Sequence, residues 1–437
     1  MTRQEARIQS RRLLMLLRYL RLSLPVLILA AFLGGCGPDP HSAEPSPLKP
    51  TATSLVEAEA ARFLEKHWAR PLAPQGKLPA SVSAQGISLA PQSCASCHAS
   101  QFKDWNDSLH SRAMGPGIMG QLQEMPAHAR DDHQSCIRCH APLAEQADSL
   151  VAALEKQAGK QAGGKPGIRP LHQQGLVCAA CHVRNNAWYG QPRRDGSQPV
   201  GDPSAYPHGG WKASRAFESS QFCAACHQFE DDEYALNGKL LENTYKEWQD
   251  SRYARQGVSC QSCHMPDRRH LWRGIHDPEM VKKGVGIRAG AASIANGQVA
   301  ARLSVANTGV GHYFPTYVTP RVVIRGFQQD AAGHKLDGTE QQFVIGRQVT
   351  LDLSTEIADT RIAPDAEATF DYRMPRHGRA VSLMWQAEVQ PDAFYLEFYV
   401  SLLQSEMKGS SRQLITQARD SASASPYIVF SRRLALP

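Results

Sequence analysis

The chain has 437 residues, 42% of them hydrophobic and 20% charged, which is long enough for two or three globular domains and too apolar for a disordered protein. The formal net charge is +7, but the first 35 residues contribute +5 of it, since they hold six arginines and one glutamate. The remaining charge is small, so composition gives no electrostatic case for nucleic-acid binding, and we expect none.

The N-terminus has the order of features that is typical of an export signal. An arginine-bearing stretch precedes an apolar run from Leu22 to Leu33, which is followed by Gly34, Gly35 and Cys36. The run is shorter than the ~20 residues of a permanent membrane-spanning helix. Leu-Gly-Gly-Cys resembles the lipobox of bacterial lipoproteins, so we predict a signal peptide over residues 1–35 and a lipid anchor on Cys36. We therefore expect an exported protein, held at the periplasmic side or the cell surface of a bacterial membrane.

Three further regions follow in the chain. Residues 36–89 are rich in proline and alanine and predict a tether with one helical patch from Ser54 to Trp68. Residues 90–280 hold ten of the eleven cysteines, and helical patches such as Ala144 to Gln157 alternate there with loops bearing glycine and proline.

Residues 285–437 contain no cysteine and have a different residue pattern. Runs of β-branched and aromatic residues, separated by turns, predict an all-β, sandwich-like antiparallel domain. The predicted strands cover Val299 to Val305, Val322 to Phe327, Phe343 to Leu351, Ala368 to Tyr372 and Phe394 to Val400.

The ten cysteines of the central region all belong to Cys-x-x-Cys-His segments. These are Cys94/Cys97/His98, Cys136/Cys139/His140, Cys178/Cys181/His182, Cys223/Cys226/His227 and Cys260/Cys263/His264, referred to below as motifs 1 to 5. Two thiols three positions apart can add to the two vinyl groups of one haem, and the next residue then places its imidazole under the iron. The sequence therefore predicts five covalently attached c-type haems.

Paired cysteines also occur in zinc sites and in disulfide frameworks. Zinc ribbons need two pairs for each metal ion, and disulfides suit an exported protein, but neither requires a histidine after every second cysteine. With 17 histidines in 437 residues, five such histidines would arise by chance with a probability on the order of 10⁻⁷. The repeated histidine thus favours haem.

The motifs begin 42, 42, 45 and 37 residues apart. A segment of about forty residues between two motifs cannot build its own hydrophobic core. The porphyrins must therefore supply much of the buried apolar surface, and they must lie close together. We expect a mainly α-helical and loop domain over residues 90–280, wrapped around stacked haems, followed by the β domain. Close-packed haems form a path for electrons.

Whether each haem iron has a second axial ligand distinguishes an electron carrier from a catalyst, which needs an open coordination site. His110 follows Phe102, Trp105 and Leu109 at helical spacing, which predicts a helix that packs on a haem and directs His110 to a neighbouring iron. His276 follows motif 5. Other candidates are His172 and His208, which lie in loops, and His312 in a glycine-rich turn of the β domain, for each of which a structural hydrogen bond is the alternative. Weaker candidates are His128, His133, Met114 and Met265.

Two stretches of the central region resemble known multihaem proteins. Cys260 to Pro266, with its Cys-x-x-Cys-His-Met-Pro sequence and a downstream histidine, resembles the superfamily of cytochrome c nitrite reductase, hydroxylamine oxidoreductase and octahaem tetrathionate reductase. The stretch with Trp105, Ser108 and His110 is similar to the first-haem region of cytochrome c-554-like proteins. The resemblance implies that His110 and His276 are distal ligands. All five motifs end in histidine, however, whereas those nitrite reductases use a lysine at the catalytic haem, so the resemblance does not extend to ammonia-forming nitrite reduction.

The sequence favours an electron carrier over a catalyst, and no residue is assigned a catalytic role. The main hypothesis is electron transfer between other redox proteins, because a haem with two histidine ligands has no open site. One alternative is an oxidoreductase in which one open haem acts on a small nitrogen or sulfur compound. Another is a structural subunit of an extracellular electron conduit.

Overall fold

The computed structural model describes residues 52–77, 88–125, 130–158, 169–197 and 208–437. Ala52–Pro437 form one compact unit. The predicted signal peptide, Cys36 and His128 lie outside the described residues. Within the described part of the chain, no helix is both long and apolar enough to cross a membrane.

Short helices dominate the described chain as far as Gly284. They are α1 Ala52–His67, α2 Pro91–Ala95, α3 Ala99–Asp107, α4 Pro116–Glu124, α5 Arg130–His140, α6 Ala144–Ala158, α7 Cys178–His182, α8 Gln221–His227, α9 Thr244–Gln249, α10 Arg252–Arg255, α11 Cys260–His264 and α12 Pro278–Gly284. Five strands of two to four residues lie between them, namely β1 Val183–Arg184, β2 Ala187–Gly190, β3 Lys212–Ala213, β4 Ala235–Leu236 and β5 Lys239–Leu240.

Four of the motifs lie at the C-terminal ends of helices. In motifs 2 to 5 the helix ends at the motif histidine, as α7 does at His182. One helical turn separates the two cysteines, so both thiols lie on the same face of the helix. The local geometry needed to bind two vinyl groups of one porphyrin is therefore a property of each of these helices.

Helix α1 lies within the stretch for which the sequence predicts a tether with a helical patch. Its residue Leu64 and the adjoining Trp68 pack with Phe222, which directly precedes motif 4. Arg184 donates a hydrogen bond to the His67 carbonyl oxygen at 2.7 Å. Helix α1 is therefore packed against the motif-bearing region.

The C-terminal region consists mainly of antiparallel strands in two sheets. The strands are β6 Val285–Ala289, β7 Ser293–Ala295, β8 Gln298–Asn307, β9 Arg321–Gln329, β10 Gln341–Val349, β11 Glu356–Asp359, β12 Glu367–Pro375, β13 Ser382–Gln390 and β14 Tyr427–Ala435. One sheet has the order β11-β10-β9-β13-β14, and the other has the order β12-β8-β6, with β7 also paired to β8.

The two sheets share one hydrophobic core. Leu303 and Tyr372 of the smaller sheet lie in the same buried cluster as Ile324 and Trp385 of the larger one. Every second residue of β8 is buried from Val299 to Asn307, as expected for a strand with one face on a core. This is the sandwich-like arrangement that the alternating pattern predicts.

One predicted strand is wrong. Phe394 to Val400 lies in helix α13, Ala393–Leu403, which is followed by α14, Gly409–Ser423, before the chain returns as β14. Both helices pack on α4 of the haem-motif region: Tyr399 lies against Gly117, and Ile415 against Gly120. Strand propensity is overridden here because the aromatic residues bury against helices and not against a neighbouring strand.

Candidate haem-binding sites

The five motifs lie close together in space. The thiols of Cys94 and Cys178 interact electrostatically, which places motifs 1 and 3 side by side. Cys226 of motif 4 is similarly placed against Cys139 of motif 2. Cys223, also of motif 4, is placed against Cys260 of motif 5. Motif 4 therefore lies between motifs 2 and 5.

None of the ten motif cysteines is fully buried. Cysteine is among the residue types most often found in protein interiors, so this exposure is unusual for residues that lie among packed helices. Porphyrin faces attached to the thiols would cover the surfaces that these helices share.

Motif 1 differs from motifs 2 to 5 in its local structure. Helix α2 ends at Ala95, so Cys97 lies beyond the helix, in a turn where its backbone N–H donates to the Cys94 carbonyl oxygen at 3.2 Å. Cys97 is exposed, and so is Cys263 of motif 5, although α11 continues through it. Thioether attachment at all ten cysteines stays a prediction from the motifs.

Four motif histidines have a hydrogen-bond partner at Nδ1. His140 donates to the Ala113 carbonyl oxygen at 2.6 Å, His182 to that of Tyr189 at 2.8 Å and His264 to that of Arg273 at 2.6 Å. The Nδ1 atom of His227 instead lies 2.7 Å from the hydroxyl of Tyr317. A hydrogen bond at Nδ1 fixes the tautomer and orientation of the ring and leaves Nε2 for a metal ion.

Three motif histidines each lie beside a second histidine at nearly the same separation. The ring centres are 6.3 Å apart for His227 and His110, 6.2 Å apart for His182 and His270, and 6.4 Å apart for His264 and His312. Two imidazoles bound to one metal ion by bonds of about 2 Å, with each ligating nitrogen roughly 1.2 Å from its ring centre, hold their ring centres about 6.3 Å apart. The three pairs therefore fit axial ligation of haem iron.

Burial keeps these imidazoles neutral, which is the form that binds a metal ion. It lowers the pKa of His110 to about 3 and the pKa of His227, His270 and His312 to about 4. The Nδ1 atom of His110 is buried without a hydrogen-bond partner. An unpaired buried nitrogen is costly unless the site has a further purpose.

Comparisons with known proteins point to the same chemistry. The family model described as "Cytochrome c554 and c-prime" matches residues 93–182, which contain motifs 1 to 3. The fold is similar to that of a penta-heme cytochrome c552 from Thermochromatium tepidum, whose crystal structure aligns with a TM-score of 0.51 at 17% sequence identity. That alignment covers 81% of this chain and 99% of the other. Residues 93–182 therefore resemble a c-type cytochrome family, and the chain has a fold similar to that of a multihaem cytochrome. No curated protein sequence matches the chain, and its relation to the nitrite reductase superfamily stays a prediction.

The chain does not give every motif histidine a second histidine at this separation. Within the described residues, no histidine ring stacks on or tilts against His98 or His140, although His98 interacts electrostatically with His182 and His140 with His227. His98 is exposed, as is Cys97 before it. His140 lies in a region where Tyr395 and Glu242 interact electrostatically with the motif 2 cysteines. Motifs 1 and 2 therefore differ from the other three.

The remaining predicted ligands lie away from the motif histidines. Nε2 of His276 lies 3.0 Å from the Asp392 carboxylate, and no contact joins it to a motif histidine in the described chain. His208 stacks on Trp188 with ring centres 5.3 Å apart. His172 is buried; its Nδ1 lies 2.8 Å from the Ser149 hydroxyl, and its Nε2 has no partner. His208 and His172 thus stay available for motifs 1 and 2.

The weaker candidates have ordinary structural surroundings. His133 is buried with Nε2 3.3 Å from the Leu122 carbonyl oxygen. Met114 packs in a hydrophobic cluster with Ile137 and Leu150. Met265 follows α11 as its C-terminal cap.

His270 is a candidate ligand that the sequence analysis did not identify. The Asp104 carboxylate of α3 binds the Arg269 guanidinium through two contacts of 2.6 Å and accepts a hydrogen bond from the His270 backbone at 3.1 Å. Arg269 lowers the pKa of Asp104. These contacts hold the chain after motif 5 against α3 and bring His270 to His182. The one signal in the sequence was the His270-Leu271-Trp272 stretch directly after motif 5.

His67 is a second residue that sequence analysis did not single out. It is 3% exposed, and its Nε2 lies 2.8 Å from the Cys181 carbonyl oxygen of motif 3. Its ring lies among Phe63, Tyr189 and Phe222. Burial lowers its pKa to about 3, so this histidine is neutral as well.

A loop of the β region reaches two motifs. Residues 308–320 connect β8 to β9 and carry both His312, beside motif 5, and Tyr317, beside motif 4. Glu247 of α9 anchors this loop, since it accepts a hydrogen bond from the Tyr313 backbone at 3.1 Å and pairs with Arg361 at 2.9 Å. The β region thus contributes side chains to the haem-binding sites.

Proposed function

We propose that this protein is an exported pentahaem electron carrier that passes electrons between other redox proteins through haems attached at motifs 1 to 5. The observation that supports it best is the set of three histidine pairs at 6.2 to 6.4 Å, since two imidazoles on one iron leave no open coordination site. Covalent haem supplies the redox chemistry, and the chain orients and insulates it.

The contacts between motifs support a branched path. Motif 1 meets motif 3 through Cys94 and Cys178, and Cys181 of motif 3 acts electrostatically on both cysteines of motif 4. Motif 4 in turn meets motifs 2 and 5. A haem at motif 4 would receive or deliver electrons on three sides.

The β region in this proposal holds parts of two haem sites in place. His312 and Tyr317 reach the motifs from one anchored loop, so the strands that hold that loop also fix one axial ligand, His312, and the hydrogen-bond partner of another, His227. The predicted signal peptide and Cys36 supply export and a lipid anchor in this proposal, which would keep the haems near redox partners at a membrane surface.

Mass spectrometry of the mature protein tests the haem count directly. After expression in a host equipped for cytochrome assembly, we expect the mass of the polypeptide plus five haems, and a lipid adduct when Cys36 is retained. A colourless protein with the bare polypeptide mass would refute the proposal. A Cys36→Ala variant should keep all five haems and leave the membrane fraction.

Changing His312 tests the role proposed for the β region. In a His312→Gly variant, one haem should lose its second imidazole and give a high-spin signal in the electron paramagnetic resonance spectrum of the oxidised protein. A spectrum identical to that of the unchanged protein would contradict the assignment of His312 to motif 5.

A second candidate function is favoured by the surroundings of His140. Its ring contacts no other histidine in the described chain, while a tyrosine and a glutamate lie beside its motif. A haem iron at motif 2 with an open coordination site could bind a small oxidised nitrogen or sulfur compound. Carbon monoxide binding to the reduced protein, together with a high-spin signal before any mutation, would favour this oxidoreductase over the carrier.

A further inference from the structure

Trp272 lies beside two of the three histidine pairs. Its indole ring makes a T-shaped contact with the imidazole of His110, with ring centres 4.6 Å apart and ring planes at 78°. It makes a second T-shaped contact with His270, at 5.0 Å and 86°. Such contacts are a favoured arrangement of two aromatic rings. Because His110 is paired with motif 4 and His270 with motif 3, one side chain touches the candidate distal ligands of two haems.

The three histidine pairs differ in the angle between their imidazole planes. The angle is 12° for the pair at motif 5, 33° for the pair at motif 3 and 56° for the pair at motif 4. The two inclined pairs are those whose second histidine touches Trp272. The angle between two axial imidazole planes sets the splitting of the iron d orbitals, and so determines where a low-spin haem absorbs in the electron paramagnetic resonance spectrum.

His110 has the least other support for its ring. Its backbone is fixed, since its carbonyl oxygen accepts a hydrogen bond from the Leu176 N–H at 2.8 Å, but its buried Nδ1 has no hydrogen-bond partner. The other two distal candidates have a backbone carbonyl oxygen at Nδ1, at 3.1 Å for His270 and 2.9 Å for His312. A hydrogen bond at Nδ1 normally orients an imidazole ligand. The orientation of His110 therefore depends on packing against its neighbours, of which Trp272 is the nearest aromatic ring in the described chain.

The backbone holds the indole in place in a strained conformation. Trp272 has a φ of +41°, in the left-handed region that bulky residues rarely adopt. Its N–H donates to the carbonyl oxygen of His264 in motif 5 at 2.9 Å, which fixes its position. A glycine would adopt this conformation without strain. Strained residues of this kind are concentrated at functional sites, so the presence of an indole here indicates a role for the ring itself.

We propose that Trp272 is a positioning residue that sets the plane of His110 on the motif 4 haem and, more weakly, the plane of His270 on the motif 3 haem. This rests on the proposed haems at these motifs. An imidazole bound to iron can still rotate about the iron–nitrogen bond, and the indole restricts that rotation. The effect is strongest on His110, because His270 also has its own hydrogen bond at Nδ1.

Electron paramagnetic resonance of the oxidised, full-length holoprotein tests the proposal. Trp272→Gly removes the indole and keeps a residue that favours the same backbone conformation. We expect the low-spin signal of the motif 4 haem to shift most, that of motif 3 to shift less, and that of motif 5 to stay in place. A His110→Gly variant identifies the motif 4 signal, because that haem should lose its low-spin signal when its second imidazole is removed.

Two further variants separate positioning from general damage. Trp272→Phe keeps an aromatic ring at the same place and should shift the motif 4 signal less than Trp272→Gly does. Trp385→Phe is the matched control, because it also replaces an indole by a phenyl ring, but in the core of the β region, where the indole contacts Tyr372. All low-spin signals should keep their positions in this control.

The outcomes separate this role from the carrier function. If Trp272→Gly carries the haems of the unchanged protein and every low-spin signal keeps its position, the positioning role is refuted while the carrier stands. The role is equally refuted if all signals shift to the same extent, or if Trp385→Phe shifts the same signals. Where Trp272→Gly assembles poorly, Trp272→Leu removes the ring in its place and is judged by the same criteria. Absence of low-spin haem from the unchanged protein overturns both proposals.

Discussion

The motif-bearing region and the β region solve the problem of forming a core in different ways. In the β region, side chains from two sheets fill one continuous core, in which Leu303, Leu383 and Trp385 are fully buried. The motif-bearing region has several small clusters, and its motif helices are as short as the five residues of α7. About forty residues for each motif cannot enclose a core by themselves, so we propose that this region depends on porphyrin surface and that the β region does not.

Loss of the haem at motif 4 should have the largest effect. In a Cys223→Ala/Cys226→Ala variant we expect the motif-bearing region to lose protection from amide hydrogen exchange, while strands β8, β9 and β13 stay protected. Metal and cofactor binding can supply most of the folding free energy of a region with little core of its own. Uniform protection in this variant would contradict the comparison.

The matched control is Cys94→Ala/Cys97→Ala at motif 1. This motif lies at the edge of the branched arrangement, and its Cys97 is already exposed, so loss of its haem should uncover less of the protein. We expect a local loss of protection around α2 and α3. A loss of protection as extensive as that in the motif 4 variant would show that the position of a motif among the other motifs does not determine the effect of losing its haem.

Truncation of Trp385 should destabilise the β region and leave the motif-bearing region unaffected. This side chain is fully buried between the sheets, and Trp385→Ala should lower the free energy of unfolding of the β region by about 3–5 kcal/mol. Haem content should not change. Ile357→Ala is the control, since Ile357 is 65% exposed and its loss should change stability little. Thermal unfolding followed by circular dichroism in the β-sheet range measures both.

The ion pair between Glu247 and Arg361 joins the two regions and should show a pH-dependent effect. Both side chains are buried, so Arg361→Met leaves the Glu247 carboxylate unpaired and should cost about 3 kcal/mol at neutral pH. Arg361 also binds Asp359, which keeps its pair with Lys239 in this variant. Burial already raises the pKa of Glu247, and removal of the guanidinium raises it further. A carboxyl with a raised folded-state pKa destabilises the protein as pH rises past its unfolded value, so the deficit should be small near pH 4 and largest at pH 7.

Denaturant unfolding at the two pH values measures this difference. Glu247→Gln combined with Arg361→Met should recover much of the stability, because the amide carries no charge and its oxygen can still accept the Tyr313 hydrogen bond. Equal deficits at both pH values would show that the cost comes from lost packing of Arg361 or from its lost pair with Asp359, and not from Glu247.

The smallest effect is expected for His276→Ala. This histidine pairs with Asp392 at a partly exposed position, so its loss should change stability by less than about 1 kcal/mol. The spectrum of the haems should stay unchanged, in contrast to His312→Gly. A new high-spin signal in His276→Ala would support His276 as an axial ligand, as the family resemblance implies.

The amino-acid sequence by itself determines the chemistry of the motifs and the change from helical to strand patterns after them. Cysteines three positions apart face the same way on one helical turn, and alternating residues such as those of β8 define a strand, because both patterns depend on neighbours within a few positions. Even so, the motif spacing does not reveal that α2 ends before Cys97.

Only the tertiary structure decides which histidines meet. His110 lies 117 positions before His227, and His312 lies 48 positions after His264, so their pairing depends on how α3, α9 and the β8–β9 loop pack. Helix α13 formed where β-propensity predicts a strand for the same reason: burial against distant helices outweighs local preference.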